Sequence, residues 1–447
     1  MYKKINTIII CIFMIFVVLG CSITKPPSEL INKPKNLIEG IEIDNIVSQF
    51  LSDKETLTLA IRQNDKESVR RVNLDEDEEK ELLLLYKGDK NSFADKNEYG
   101  VIILKKNKDK WHEINRISQN VDGLDLVEYK DLTGDKKPDL LIGWNMGENQ
   151  DKILSLYSWH NGYFHSIYES RYRELSIDDL NNDGQNELVL LERLPKSDAT
   201  SIEVLRYSKE EMISIDKFNI NNKSYYSTMT VGNASLDKKG IFIDFDMDIF
   251  SSYTDLLIMK NNKLVEVLGN ETIDIPKTSH EYMIKSKDIN NDGIIEFGLL
   301  EKITEVKNSS KYNIPLINTW YKWDGKNDIT LVLKEYYNHD KGYKVQIPKE
   351  WGEEFTIIKK FDEKGFENKV EFYTLDSNRN LHEFIFSIQS FSKEEWEENK
   401  YLLQDKRYVV LEENEKSVIV GGISDLQKES KYFMNEDRLK GIFSTLK

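Results

Sequence analysis

Short apolar runs recur along the middle of the chain, each bounded by acidic or Asn- and Gly-containing turns, as in Glu187-Leu-Val-Leu-Leu191 and Ile241-Phe-Ile-Asp-Phe245. Runs this short and this regularly punctuated predict strands rather than helices. A second pattern accompanies them: two apolar strands flanking a turn of Gly, Asn, Asp or Lys. It falls at Ile103–Trp111, Tyr157–Phe164, Leu205–Met212, Leu257–Leu264 and Tyr321–Asn327, and predicts five hairpins.

The apolar runs follow an acidic motif that repeats. Asp179-Leu-Asn-Asn-Asp-Gly-Gln-Asn-Glu187 and Asp288-Ile-Asn-Asn-Asp-Gly-Ile-Ile-Glu296 nearly coincide. Asp131-Leu-Thr-Gly-Asp-Lys-Lys-Pro-Asp139 keeps acids at the first, fifth and ninth places, and Asn73-Leu-Asp-Glu-Asp-Glu-Glu-Lys-Glu81 fits with Asn in first place. By the same spacing, the hairpin near Asn261 calls for a copy near Gly232. There Gly232-Asn-Ala-Ser-Leu-Asp-Lys-Lys-Gly240 retains the following strand but has lost most of the acids. Five copies, beginning near residues 73, 131, 179, 232 and 288, recur about every fifty residues, room for a four-stranded sheet with its turns.

The spacing of the acids suits a hard cation such as Ca²⁺, which takes six to eight oxygen ligands from a tightly curled loop. Alternating side chains at places one, three and five point inward, Gly at six permits the turn, the carbonyl at seven adds a ligand and a carboxylate at nine closes the shell. In copy three these are Asp179, Asn181, Asp183, the Gln185 carbonyl and Glu187; in copy five, Asp288, Asn290, Asp292, the Ile294 carbonyl and Glu296. Copy two offers Asp131, Thr133, Asp135 and Asp139 but lacks Gly at six and carries Lys136 and Lys137. Copy one offers Asn73, Asp75, Asp77 and Glu81, with Glu78 where copy three has Gly184. Both are weaker candidates, and copy four should be a plain turn. The competing reading is a metal-free Asx turn, against which stands the repulsion among carboxylates crowded into one loop. An EF-hand would place its closing Glu at twelve and continue as a helix; here a strand follows directly.

Acidic loops each leading into a strand, at this period, resemble the FG-GAP and VCBS repeats of integrin-like β-propellers over roughly residues 57 to 335. The resemblance implies a mainly β, propeller-like array of about five blades over residues 41–336, braced by calcium. Five units is fewer than such propellers usually carry, and the Phe-Gly/Gly-Ala-Pro signature is absent. Leu57-Thr-Leu-Ala-Ile61 is the candidate strand to complete the last blade, an open array of stacked sheets being the alternative.

After Trp323 the repeat stops. Strands are predicted at Lys369–Tyr373 and Glu383–Ile388, a capping box at Ser392–Glu395, and a last helix over Glu436–Leu446. Residues 337–447 therefore read as a small α+β domain, whose opening is weakly similar to PsbP- or Mog1-like domains.

The first twenty residues are an export signal: Lys3 and Lys4, then an uncharged apolar run. Val18-Leu19-Gly20-Cys21 resembles the lipobox of bacterial lipoproteins, which implies lipidation of Cys21 and cleavage before it; an uncleaved membrane helix is the competing reading. Residues 21–40, with Pro26, Pro27 and Pro34, would form a tether. The chain is then expected at the cell membrane, lipid-anchored and facing outside the cytoplasm, with Cys21 as its one cysteine and no intrachain disulfide.

Composition narrows the function. A net charge of −16 without a basic patch argues against nucleic acid as a partner. The six histidines show no His-x-x-x-His spacing, and neither a nucleophile elbow nor a phosphate-cradling Gly loop occurs. Trp111, Trp159, Trp320 and Trp323 lie near hairpins, where packing is expected. The leading expectation is a surface lipoprotein that binds a protein or glycan rather than an enzyme. Its alternatives are an envelope polysaccharide- or peptide-processing enzyme and a structural envelope-assembly lipoprotein.

Overall fold

The computed structural model describes residues 35–62, 67–75, 77, 79–89, 95–148, 150–193, 200–220, 226–248, 251–268, 284–304, 306–307, 313–363, 365 and 367–446. The export signal, Cys21 and most of the tether lie outside the described residues. Among these residues no helix is long and apolar enough to cross a membrane.

The chain is mainly β, arranged as antiparallel sheets in sequence order. A helix, α1 (Lys35–Phe50), comes first, so the last residues assigned to the tether are helical. Its Ile46, with Val47 and Phe50 one and four positions on, packs on Leu82, Leu84, Ile102 and Leu104 of the first sheet. That sheet contains β1 (Glu55–Leu57), β2 (Val69–Val72), β3 (Glu81–Gly88), β4 (Glu98–Asn107) and β5 (Lys110–Asn120). Here the structure corrects an expectation. The early segment does not pair with the last blade: Glu55–Leu57 pairs with Tyr86–Gly88, sharing one edge of β3 with β2, the Thr58 amide donates to the Leu85 carbonyl, and the Ile61 amide donates to the Leu124 carbonyl of the second sheet.

Three four-stranded meanders follow. They are β6 (Gly123–Lys130), β7 (Asp139–Asn145), β8 (Lys152–His160) and β9 (Tyr163–Tyr172); β10 (Glu174–Asp178), β11 (Glu187–Arg193), β12 (Thr200–Ser208) and β13 (Glu211–Ile220); and β14 (Tyr226–Asn233), β15 (Lys239–Asp248), β16 (Ser251–Lys260) and β17 (Lys263–Glu266). The fifth sheet is β18 (Phe297–Lys302), β19 (Leu316–Trp323), β20 (Ile329–Asn338) and β21 (Tyr343–Ile347). All five expected hairpins form. In four of them both turn residues take positive φ: Lys108 and Asp109 (46° and 66°), Asn161 and Gly162 (51° and 90°), Lys209 and Glu210 (53° and 68°), Asn261 and Asn262 (51° and 59°). This is the turn that matches the right-handed twist of paired strands. Second strands are continuously apolar and buried, as at Leu82–Leu85 and Leu188–Leu191, because both of their faces are covered.

The sixth sheet holds β22 (Phe355–Phe361), β23 (Glu367–Leu375), β24 (Leu381–Ser392), β25 (Tyr408–Glu413) and β26 (Ser417–Ile423), in the order β22-β23-β24-β26-β25. The capping box is present: Ser392 Oγ accepts from the Glu395 amide and opens α2 (Lys393–Asn399). The last helix, α3 (Glu436–Ile442), is shorter than expected. Residues Phe443–Thr445 leave it as β27, which pairs with β21 and returns the C-terminal segment to the fifth sheet. The expected boundary at 336/337 falls inside β20. Tyr336 and Tyr343 share one core cluster with Trp351, Phe355, Phe372 and Phe386, so packing runs unbroken from the fifth sheet to the sixth.

The chain divides into two compact units. One contains the described residues through Val127 with Trp144–Gly147 and Trp159–Phe164; the other contains Glu128–Gly143, Glu148–Ser158 and the described residues from His165 onward.

Candidate functional site

The acidic motifs of copies one, two, three and five lie at the entrance to the buried strands β3, β7, β11 and β18, and copies three and five share one backbone trace. The Asp179 carboxylate accepts from the amides of Asp183 (3.0 Å) and Gly184 (2.8 Å), Asp183 from Gln185 (3.0 Å), and Glu187 from Leu180 (2.9 Å). In copy five Asp288 accepts from Asp292 (3.1 Å) and Gly293 (2.8 Å), Asp292 from Ile294 (2.9 Å), and Glu296 from Ile289 (3.0 Å). Places four and six lie in the left-handed region, with φ of 58° and 89° at Asn182 and Gly184 and of 59° and 83° at Asn291 and Gly293. Asn and Gly are the residues that accept that conformation most readily.

Copy two makes the same turn with its glycine moved: Gly134 at place four has φ 79° and Lys136 at place six φ 73°. Asp131 accepts from Gly134 and Lys136, Asp135 from Lys137, and Asp139 from Leu132 and Thr133. In copy one the Asn73 side-chain amide donates to the Asp77 carbonyl, and Glu81 accepts from the Leu74 amide at 2.9 Å. Copy four is a tight turn between β14 and β15, with Ser235 Oγ donating to Asp237.

What the motif alone does not contain is the positive charge beside it. The third residue before each hairpin turn sits on the strand next to the acidic loop. It is Lys105 in copy one, Ser158 in copy two, Arg206 in copy three, Ile258 in copy four and Lys322 in copy five. In copies one, three and five a β-bulge lies one or two residues ahead of it, between Ile103 and Leu104, Val204 and Leu205, and Trp320 and Tyr321. Bulges re-aim the side chains that follow them.

Lys105 Nζ contacts Asp75, Asp77 (2.6 Å) and Glu81 (3.2 Å). These three carboxylates each bring one oxygen within 4.8 Å of the others. The Arg206 guanidinium reaches Glu187 Oε1 at 2.6 and 3.0 Å and Asp183 Oδ2 at 2.8 Å. Lys322 reaches Asp292 alone, at 3.3 Å. Copy four, which has lost its acids, carries the uncharged Ile258.

The protonation of the closing carboxylates follows from this. Burial pushes Glu187 up, and Arg206 with the Leu180 amide pulls part of the way back. Burial likewise raises Glu81 and Asp139, the latter against hydrogen bonds from Ser158 and two amides. Glu296 is pushed up to about 7, first by burial, against which the Ile289 amide pulls down, and further by the charges of Asp292 and Asp288, with the smallest effect a lowering by Lys322. Its Oε1 meets the Asn290 side-chain amide at 3.4 Å, a long and weak contact.

Asp288, Asn290, Asp292 and Glu296 of copy five are oxygen donors of the kind Ca²⁺ takes and have no guanidinium among them, but among the described residues it is Asp75, Asp77 and Glu81 of copy one whose three carboxylates converge within 4.8 Å. In copies one and three a lysine or arginine already bonds those carboxylates. The Gln185 side chain is engaged elsewhere, donating to the carbonyls of Leu132 and Tyr207. Sequence reasoning missed Lys105, Ser158, Arg206 and Lys322. The signal available was their constant offset from the hairpin turn, one of the two periodic features used to count the copies.

No protein-family model and no curated protein matches the chain. Among solved structures it is similar to the rhamnogalacturonan lyase YesW, with 10% identity and a TM-score of 0.30, covering 70% of this chain and 65% of that one. It is similar also to the exotype rhamnogalacturonan lyase YesX, with 9% identity and a TM-score of 0.27, covering 75% of this chain and 84% of that one. A protein from Lactobacillus plantarum matches at 7% identity and a TM-score of 0.25, over 67% of this chain and 81% of that one. The chain thus spans 65% of the length of YesW. At these scores the likeness carries no functional argument.

Proposed function

We propose that this chain is a lipid-anchored, extracytoplasmic binding protein. In this reading the successive sheets are about five blades of a propeller-type array, with a cation stiffening the acidic loops of copies one, three and five, and the ligand is a protein or glycan of the cell surface. The observation that carries the reading is the acidic turn recurring with one hydrogen-bond pattern ahead of successive second strands. Copies one and three are braced by Lys105 and Arg206, whereas copy five takes Ca²⁺ from solution through Asp288, Asn290, Asp292 and Glu296. A bound metal would supply positive charge there and draw the loop's oxygens together, and the work of the loop is to hold the β18 entrance rigid. Lipidation at Cys21 accounts for the apolar export segment ending at Gly20-Cys21.

The test is capture from a cell-envelope extract by immobilised residues 22–447, in Ca²⁺ and in EDTA. A saturable envelope ligand that is retained in Ca²⁺ and weakened in EDTA is expected. Retention of nothing under either condition contradicts the binding reading.

A further inference from the structure

The sixth sheet carries a feature the loops do not explain. A cavity of about 480 Å³ opens on the face of that sheet opposite its aromatic core, within the size range of ligand pockets. Strand alternation builds it: Val370 and Phe372 of β23 enter the core, while Lys369, Glu371 and Tyr373 line the cavity. Its floor is bare backbone at Gly422, where a Cβ would stand 2.9 Å from Ser387 Oγ and 3.2 Å from the Tyr408 ring. Glycine within a strand marks places of close approach.

The walls combine rings with polar groups. Tyr373 and Phe384 meet edge to face with centroids 5.6 Å apart, and Tyr408 lies across the floor. Glu371 is held by Lys369 at 2.9 Å and by the Tyr373 hydroxyl at 2.9 Å. Arg407 pairs with Asp405 at 2.6 Å and Asp425 at 3.3 Å. Ser387 and Ser424 complete the lining.

We propose that this cavity binds a neutral oligosaccharide. Aromatic rings offer apolar faces to the C–H faces of pyranose rings, and the carboxylates, guanidinium and hydroxyls offer bonds to vicinal hydroxyl groups. The lining cations Lys369 and Arg407 are matched by Glu371 and Asp425, so the site calls for no net charge in its ligand. A peptide bound by strand addition needs a free sheet edge. This cavity lies instead mainly on the face of β23, β24 and β26, each paired on both sides, and reaches the edge strand β25 only at its first residue, Tyr408. For its choice of sugar the inference rests on the reading of the chain as an envelope-binding protein, and it adds a location that reading left open.

The test is isothermal titration of residues 22–447 with three neutral tetrasaccharides, of N-acetylglucosamine, maltose-type and cellulose-type linkage, beside trigalacturonate and an unrelated extended peptide. One neutral sugar binding at one site per chain is expected. Arg407→Ala and Tyr373→Ala should each weaken it about tenfold, with melting temperatures confirming that each variant is folded. Asp425→Ala, at an exposed position, repeats the test without risk to the core. The proposal is overturned by no neutral sugar binding at millimolar concentration, by binding that survives both cavity variants, or by preference for the acidic sugar or the peptide. If envelope glycan is captured while the cavity variants bind normally, the binding reading stands and this location falls.

Discussion

Copies three and five place nearly the same nine residues in nearly the same hydrogen-bonded turn, yet their charge balance differs. Glu187 is met by a guanidinium in bonding contact, whereas Glu296 has a lysine that stops at Asp292 and an amide at 3.4 Å. The difference originates outside the motif, on the adjacent strand at Arg206 and Lys322. In the proposed reading, whether a loop takes metal depends on the pair of elements, acidic turn and neighbouring strand. Copy one, where Lys105 stands among three carboxylates, belongs with copy three.

The comparison breaks most visibly at its arginine. Replacing Arg206 by Met strands the buried Glu187, and a loss of about 3–5 kcal/mol is expected in urea unfolding, the range for one partner removed from a buried pair. Millimolar Ca²⁺ should restore part of it. Lys105→Met should follow with about 3 kcal/mol, because Glu81 is as fully buried as Glu187. A smaller effect is expected from acidity. Glu296 is raised in the folded chain to about 7, above the ordinary range of a glutamate. Without metal its contribution to stability is complete below the unfolded value and is lost as pH rises through about 7. Unfolding in EDTA across that window should show a decline that Glu296→Gln removes, and Ca²⁺ should reverse the decline by favouring the carboxylate. Smallest of all, Lys322→Met should cost no more than about 1 kcal/mol, as for a partly exposed single pair.

Much of this was legible in the chain. The five hairpins announce themselves through apolar strands around their turns, the acidic loops through their period, and α2 through Ser392 and Glu395. The counter-cations were not legible from the motif, because a lysine or arginine near the end of a strand reads the same whether it faces water or a carboxylate. Only the register of β4, β12 and β19 and their bulges decide which it is. The position of Glu55–Leu57 was hidden for a related reason: a three-residue strand carries no record of which edge it will pair with, and β3 leaves room beyond β2. The last helix was overextended because Phe443 and Leu446 continue a helical stripe, while pairing of Phe443–Thr445 with Tyr343–Val345 outweighs it. The cavity on the sixth sheet depends on which side chains alternate outward and on a missing one at Gly422. Neither pattern differs in sequence from an ordinary solvated face.

In the proposed reading the cation comes from the protein in copy three and from solution in copy five. This is tested most directly by the melting temperature of residues 22–447 in EDTA and in saturating Ca²⁺, for the unaltered chain, Asp183→Ala and Asp292→Ala. At a hundred times the dissociation constant one site adds about 2.7 kcal/mol. The unaltered chain and Asp183→Ala should both gain that stabilisation, and Asp292→Ala should not. A shift lost in Asp183→Ala and kept in Asp292→Ala, or no shift in the unaltered chain, would contradict the claim.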